Sequence, residues 1–258
     1  MQLLLIPFGI IINTDVSRSV LAFKALIEEL DLGIEVNTEL KISLNGLFQK
    51  YNSGVLTESE FAQALLTAIA AKIPAEKVQN LDPKWQEFWQ EKWKSCWNAM
   101  CIIDATVIQT CRLLTTNTAV KCCVYSETNP THLEYINACL AAEEIELSVR
   151  TTFDFQNSLV KLLQALVVEN ADSIARNNCS IMVGNPELVK DEYFRNLAIA
   201  KVQSVLDVIV PHNIQVIKLE SGKSTLEQLP QIFANLLQVE ANSEATQVTS
   251  ERPRPLGM

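Results

Sequence analysis

The chain has 258 residues, 48% of them hydrophobic, with 7 Gly, 9 Pro and a formal charge of −9. That length suffices for a packed core in one large domain or two modest ones, and so few Gly and Pro exclude a low-complexity chain. The acidic balance argues against a nucleic-acid partner, because binding a phosphate backbone needs a basic face.

Residues 3–13 are rich in Leu and Ile over a short length, the pattern of a strand covered on both faces. The run has no basic n-region or small-residue cleavage site, is broken by Pro7 and Gly9, and is too short to span a bilayer. It is therefore expected to be a buried first strand of a cytoplasmic protein. From Ser17 to about Leu30 the period becomes helical, with Val20, Phe23, Leu26, Ile27 and Leu30 on one stripe. Helical spacing recurs in 38–50, and Thr57 with Glu60 opens a helix through 58–72 as a capping box. A further helix is predicted from about Pro83 to Trp97, with Pro tolerated in its first turn.

Beyond residue 98 strands and helices alternate. Helices are predicted at 104–114, 131–142 and 157–170, and a long helical segment at 187–210. Strands are predicted at 119–125, 180–183 and 213–219. Such alternation implies a parallel sheet with crossover helices. Residues 240–258 carry little apolar content and read as a flexible tail.

Several local patterns carry chemistry elsewhere. Seven Cys lie scattered at 96, 101, 111, 122, 123, 139 and 179 without a Cys-x-x-Cys pair, and the only His are His132 and His212. These read as reduced, buried thiols, with no metal site expected. Gly222-Lys223-Ser224-Thr225 suggests a phosphate-binding loop, but Ile217 stands where a second Gly is required. Ser224 or Thr225 is then the cap of a final helix. Asp104 and Asp154 are isolated acids, read as cap or surface groups, and His132 as a group that caps or hydrogen-bonds a loop.

The four Trp (Trp85, Trp89, Trp93 and Trp97) recur every fourth residue. They form one ridge, drifting about 40° per step. Burial within the chain is the plain reading. Trp85, Trp89 and Trp93 as a partner-binding surface is the sharper one, since Trp is enriched at interface hot spots.

Residues 3–15, Leu-Leu-Leu-Ile-Pro-Phe-Gly-Ile-Ile-Ile-Asn-Thr-Asp, resemble the first motif of the haloacid dehalogenase-like (HAD-like) superfamily. Phe48 to Phe61 resembles a segment of its helical cap, and Trp97-Asn98-Ala99-Met100 the return from cap to core. Val124 to His132 resembles its second motif. The resemblance implies an α/β fold: a Rossmann-like parallel sheet core (1–15 and 98–239) with an inserted helical cap (16–97) and a tail (240–258).

Members of that superfamily hydrolyse phosphate esters or remove halide through an aspartyl intermediate, usually with Mg²⁺. Aligned on Gly9 and Asn13-Thr14-Asp15, Ile6 falls at the nucleophile and Phe8 at the general acid/base. Ser126 keeps the second-motif hydroxyl. Residues 151–160 hold no Lys-Pro for the third motif, and Lys161 falls inside the following helix. Val183 and Gly184 fall where the Mg²⁺-holding acids belong. An alkyl chain offers no lone pair for attack, and Mg²⁺ demands hard oxygen ligands.

The expectation is a catalytically inactive relative without cofactor, not an enzyme. It would act as an adaptor subunit binding other protein subunits, for instance in a bacterial secretion or signalling complex, without membrane insertion. The alternatives are a divergent hydrolase of a small phosphorylated substrate and a ligand sensor using the cleft.

Overall fold

A computed structural model of the chain describes residues 1–35, 44, 46–48, 50–51, 54–126, 128–151, 159–184, 192–220 and 223–250. In chain order the elements are β1 (Gln2–Pro7), β2 (Asn13–Thr14), α1 (Val16–Glu29), α2 (Glu58–Ala70), α3 (Ala75–Val78), α4 (Trp85–Asn98) and β3 (Cys101–Ile102). They continue as α5 (Ala105–Thr116), β4 (Val120–Ser126), α6 (Pro130–Ala141), β5 (Val149–Thr151), α7 (Leu159–Glu169) and α8 (Ala171–Ala175). The last are β6 (Cys179–Val183), α9 (Glu192–Ile209), β7 (Gln215–Lys218) and α10 (Thr225–Ser250).

Five strands form one sheet in the order β5-β4-β1-β6-β7, and every pairing in it is parallel. β1 lies at its centre, between β4 and β6. Its side chains alternate between two apolar layers, as the two-residue period of a strand requires. Leu4 and Ile6 join the layer that includes Val107 of α5, Ile136 of α6 and Leu229 of α10. Leu3 and Leu5 join the layer containing Leu163 and Leu166 of α7 and Val205 and Ile209 of α9. Helices thus cover both faces, which is why β1 and β6 read as unbroken apolar runs.

The first strand is shorter than its sequence suggests. It stops at Pro7, and Phe8–Ile10 form a single 3₁₀ turn closed by Ile11 N–H and Ile12 N–H on the Phe8 carbonyl at 2.9 and 3.0 Å. Asn13–Thr14 then pair antiparallel with Cys101–Ile102, Asn13 opposite Ile102 and Thr14 opposite Cys101. The helices α1 to α4 lie between the two strands of this ribbon. Residues 44, 46–48 and 50–51 are helical too.

Each helix start has a local cause. The Asp15 carboxylate accepts from Ser17 N–H at 2.9 Å. Thr57 and Glu60 close the expected capping box at the head of α2. Asp104 caps α5 through Val107 N–H at 3.0 Å, and Asn129 caps α6 through His132 N–H at 2.9 Å, with Pro130 in its first turn. Ser224 and Glu227 make the reciprocal pair ahead of α10, which continues to Ser250. Among the described residues no helix is long and apolar enough to cross a membrane.

Candidate functional site at the carboxyl edge of the sheet

The strand order defines where a ligand site belongs. From β1 the chain adds β4 and then β5 on one side, and later β6 and β7 on the other. The order therefore reverses at β1. In open α/β sheets the crevice lies beyond the carboxyl ends of the strands at such a switch point. Here those ends are Pro7–Phe8, Ser126 and Val183–Gly184.

The turn after β1 fills this position. Ile6, opposite Val124 in the β1–β4 register, is 0% exposed, and Phe8 is 3% exposed. Ile10 lies against Gly184, its Cγ2 3.5 Å from where a Cβ would stand. The Thr225 hydroxyl at the head of α10 donates to the Ile10 carbonyl at 2.5 Å. Ser126 ends β4 half-buried, and Val183 is buried. The structure thus brings Ile6, Phe8, Ser126, Val183 and Gly184 to one edge, where Ser126 contributes the one side-chain oxygen. Those positions do not fit Mg²⁺, which takes several oxygen ligands in near-octahedral geometry. Among the described residues no three His, Cys, Asp or Glu side chains gather where a metal ion could sit.

The Trp ridge points inward, so a partner surface on Trp85, Trp89 and Trp93 is corrected: all three are buried, with Trp97. The cause is an aromatic cluster inside the helical segment. Phe23 of α1 lies 5.9 Å from Trp89 between ring centroids, Phe61 of α2 lies 5.4 Å from Trp93, and Phe48 lies 4.8 Å from Trp97.

A polar cluster that the sequence pattern did not single out joins the helical segment to α6. The Tyr51 hydroxyl lies 2.5 Å from Thr131 Oγ1, which donates to Glu58 Oε2 at 2.7 Å. Glu58 Oε1 lies 2.5 Å from Lys94 Nζ. Burial opposes ionisation of Glu58, but its bonds from Lys94 and Thr131 together hold its carboxyl below the usual range. Burial pushes the Tyr51 phenol up. His132 stacks flat on Trp97, and Asn129 Nδ2 lies 3.0 Å from His132 Nδ1. Burial lowers His132 to about 4, against a smaller opposing pull from the Trp97 backbone. The sequence signals for this region are the capping box at Thr57, which sets Glu58 in the first turn of α2, and the reading of His132 as a group that bonds a loop.

The remaining candidates have structural roles. Asp15 and Asp104 are helix caps, and Lys161 lies in α7. Gly222 and Asp154 lie outside the described residues, while Ser224 caps α10 as expected. Burial pushes the thiols of Cys96, Cys101, Cys111 and Cys179 up to about 11, and that of Cys122 to about 12.

No protein-family model matches the sequence, and no curated protein does. Solved structures do match. A HAD-family enzyme from Bacteroides thetaiotaomicron superposes with a TM-score of 0.53 at 15% identity, over 89% of this chain and 98% of that one. The chain shares the fold of that HAD-family enzyme. Two other matches are a proposed beta-phosphoglucomutase from Thermotoga maritima (TM-score 0.45, 12% identity, 88% of this chain and 91% of that one) and a proposed HAD-hydrolase from Bacillus subtilis (0.41, 13%, 90% and 98%).

The first of these matches corrects the expectation that this chain is not an enzyme. A HAD-family enzyme shares its fold over 89% of this chain.

Proposed function

We propose that this HAD-like chain is a protein-interaction subunit of a larger complex. The helices between β2 and β3 serve as a cap (16–97), and residues 1–15 with 98–239 as the core. The observation that carries the reading is the apolar character of the switch point: Ile6 and Phe8 are buried there, and Ile10 lies against Gly184. Large apolar side chains stand exposed elsewhere, among them Leu21 on α1 and Ile199 on α9. Seven unbridged thiols fit a reducing, cytoplasmic setting.

A divergent hydrolase of a small phosphorylated substrate is the second reading, favoured by the enzyme that shares the fold. Its carboxylates would come from positions other than 6, 8, 183 and 184.

One preparation tests both. Tagged full-length protein is isolated from its native lysate at moderate salt, and the eluate is assayed for companions and for Mg²⁺-dependent release of phosphate from small phosphate esters. A stoichiometric companion lost in Leu21→Glu or Ile199→Glu supports the first reading. A solitary protein with turnover overturns it in favour of the second.

A further inference from the structure

Four polar side chains from four parts of the chain form one chain of contacts: Tyr51 and Glu58 meet at the Thr131 hydroxyl, and Lys94 pairs with Glu58. Tyr51 comes from the helical residues before Gly54, Glu58 from the first turn of α2, Lys94 from α4 and Thr131 from the first turn of α6. The first three belong to the stretch between β2 and β3, and Thr131 belongs to the helix that follows the central-sheet strand β4. The direction of each bond follows from counting protons. Glu58, its carboxyl held below the usual range, only accepts. The single proton of Thr131 goes to Glu58, so the Tyr51 hydroxyl must donate to Thr131. Lys94 supplies the counter-charge on the other carboxylate oxygen.

We propose that Tyr51, Thr131 and Glu58 form a polar catch that fixes the helical segment over the carboxyl end of β4. The apolar core is continuous across this junction, running from Ile6 and Phe8 through Phe48 and Trp97 to Ile136. Apolar contact is non-directional and tolerates sliding, whereas a hydrogen bond weakens steeply when its angle is lost. Core packing therefore holds the two parts together, and the catch selects one register between them. Tyr51 is fully buried and stacked on Phe61 at 4.3 Å with ring planes 5° apart, which holds its ring in place. Thr131 is buried as well. A buried chain of this kind rigidifies when complete and is costly when one link is missing. The inference stands independently of what the protein binds or turns over.

The test is a double-mutant cycle on the full chain, Tyr51→Phe, Thr131→Val and both, read by native-state hydrogen exchange. Each single variant is expected to speed exchange about tenfold at the amides of both 58–64 and 130–136. Exchange in β1 and β6 should stay unchanged. The double variant should be no faster than the worse single one, since the two residues share one bond. Thr131→Ser, which keeps the hydroxyl, should restore wild-type exchange even if Thr131→Val is poorly folded. Acceleration confined to the mutated residue's own helix, effects that add independently, or a Thr131→Ser variant as fast as Thr131→Val would each overturn the proposal.

Discussion

Trp97 and His132 lie face to face, their ring centroids 5.1 Å apart and their planes 7° from parallel. One ends the Trp ridge of α4, and the other sits in the first turn of α6, so the stack spans the junction between the helical segment and the sheet layer. The position is apolar enough that His132 is held neutral.

That placement gives stability a defined pH dependence. The folded-state value of His132, about 4, lies below its ordinary 6.5. Between the two the unfolded chain binds the proton and the folded chain does not, so stability falls as pH drops from about 6.5 toward 4. The full shift corresponds to about 3 kcal/mol. Thermal unfolding of the wild type should lose that increment over this window relative to His132→Phe, whose profile lacks the His132 contribution. Parallel profiles for the two proteins would show that His132 is not buried as a neutral ring.

Ile6 is a core residue of the central strand. Replacing it with Asp buries a carboxylate among the apolar side chains of that layer, where the exposure is 0%. The expected cost exceeds about 3 kcal/mol, while Ile6→Val should cost about 1 kcal/mol. Denaturant titration of the two variants measures both. An Ile6→Asp protein as stable as Ile6→Val would mean that the strand end is open to water.

Trp89 is fully buried against Phe23 in the aromatic cluster. Trp89→Ala should lower stability by about 3–5 kcal/mol through the cavity it leaves. Trp89→Phe should cost less, because a ring can still meet Phe23 and the indole N–H has no hydrogen-bond partner to lose. Denaturation midpoints that do not move in either variant would return the ridge to the surface.

The thiols of Cys96, Cys101, Cys111 and Cys179 should react slowly. With values near 11 they are almost wholly protonated at pH 8, and burial adds a barrier of access. Alkylation at pH 8 followed by peptide mass mapping should modify these four far more slowly in native than in denatured protein. Equal rates in the two states would contradict the packing of the core.

The sequence made the sheet legible where a strand is long and doubly covered. The Leu-Ile run of β1 and the Val120–Ser126 strand stand out because both faces are apolar, and the Thr57–Glu60 box announces a helix start without tertiary help. β3 and β5, two and three residues long, carry no period and were not foreseen. The Trp ridge was visible as a stripe, but periodicity gives a stripe without saying what lies opposite, and Phe23, Phe48 and Phe61 supply that. The positions 6, 8, 126, 183 and 184 lie at neighbouring strand ends because β4, β1 and β6 run parallel. The Tyr51–Thr131–Glu58–Lys94 cluster was illegible because its members lie on separate helices, and their meeting is a product of packing alone.

The ribbon of β2 and β3 has one more effect. Asn13–Thr14 and Cys101–Ile102 are paired rung by rung, so the chain leaves the sheet layer and rejoins it at strand spacing, about 5 Å. None of the described residues between Asp15 and Met100 belongs to the five-stranded sheet. The number and length of the helices within that stretch can change without shifting any strand of the five. Replacing the whole stretch by a tight turn would leave the strand order intact while uncovering the apolar side chains beneath it.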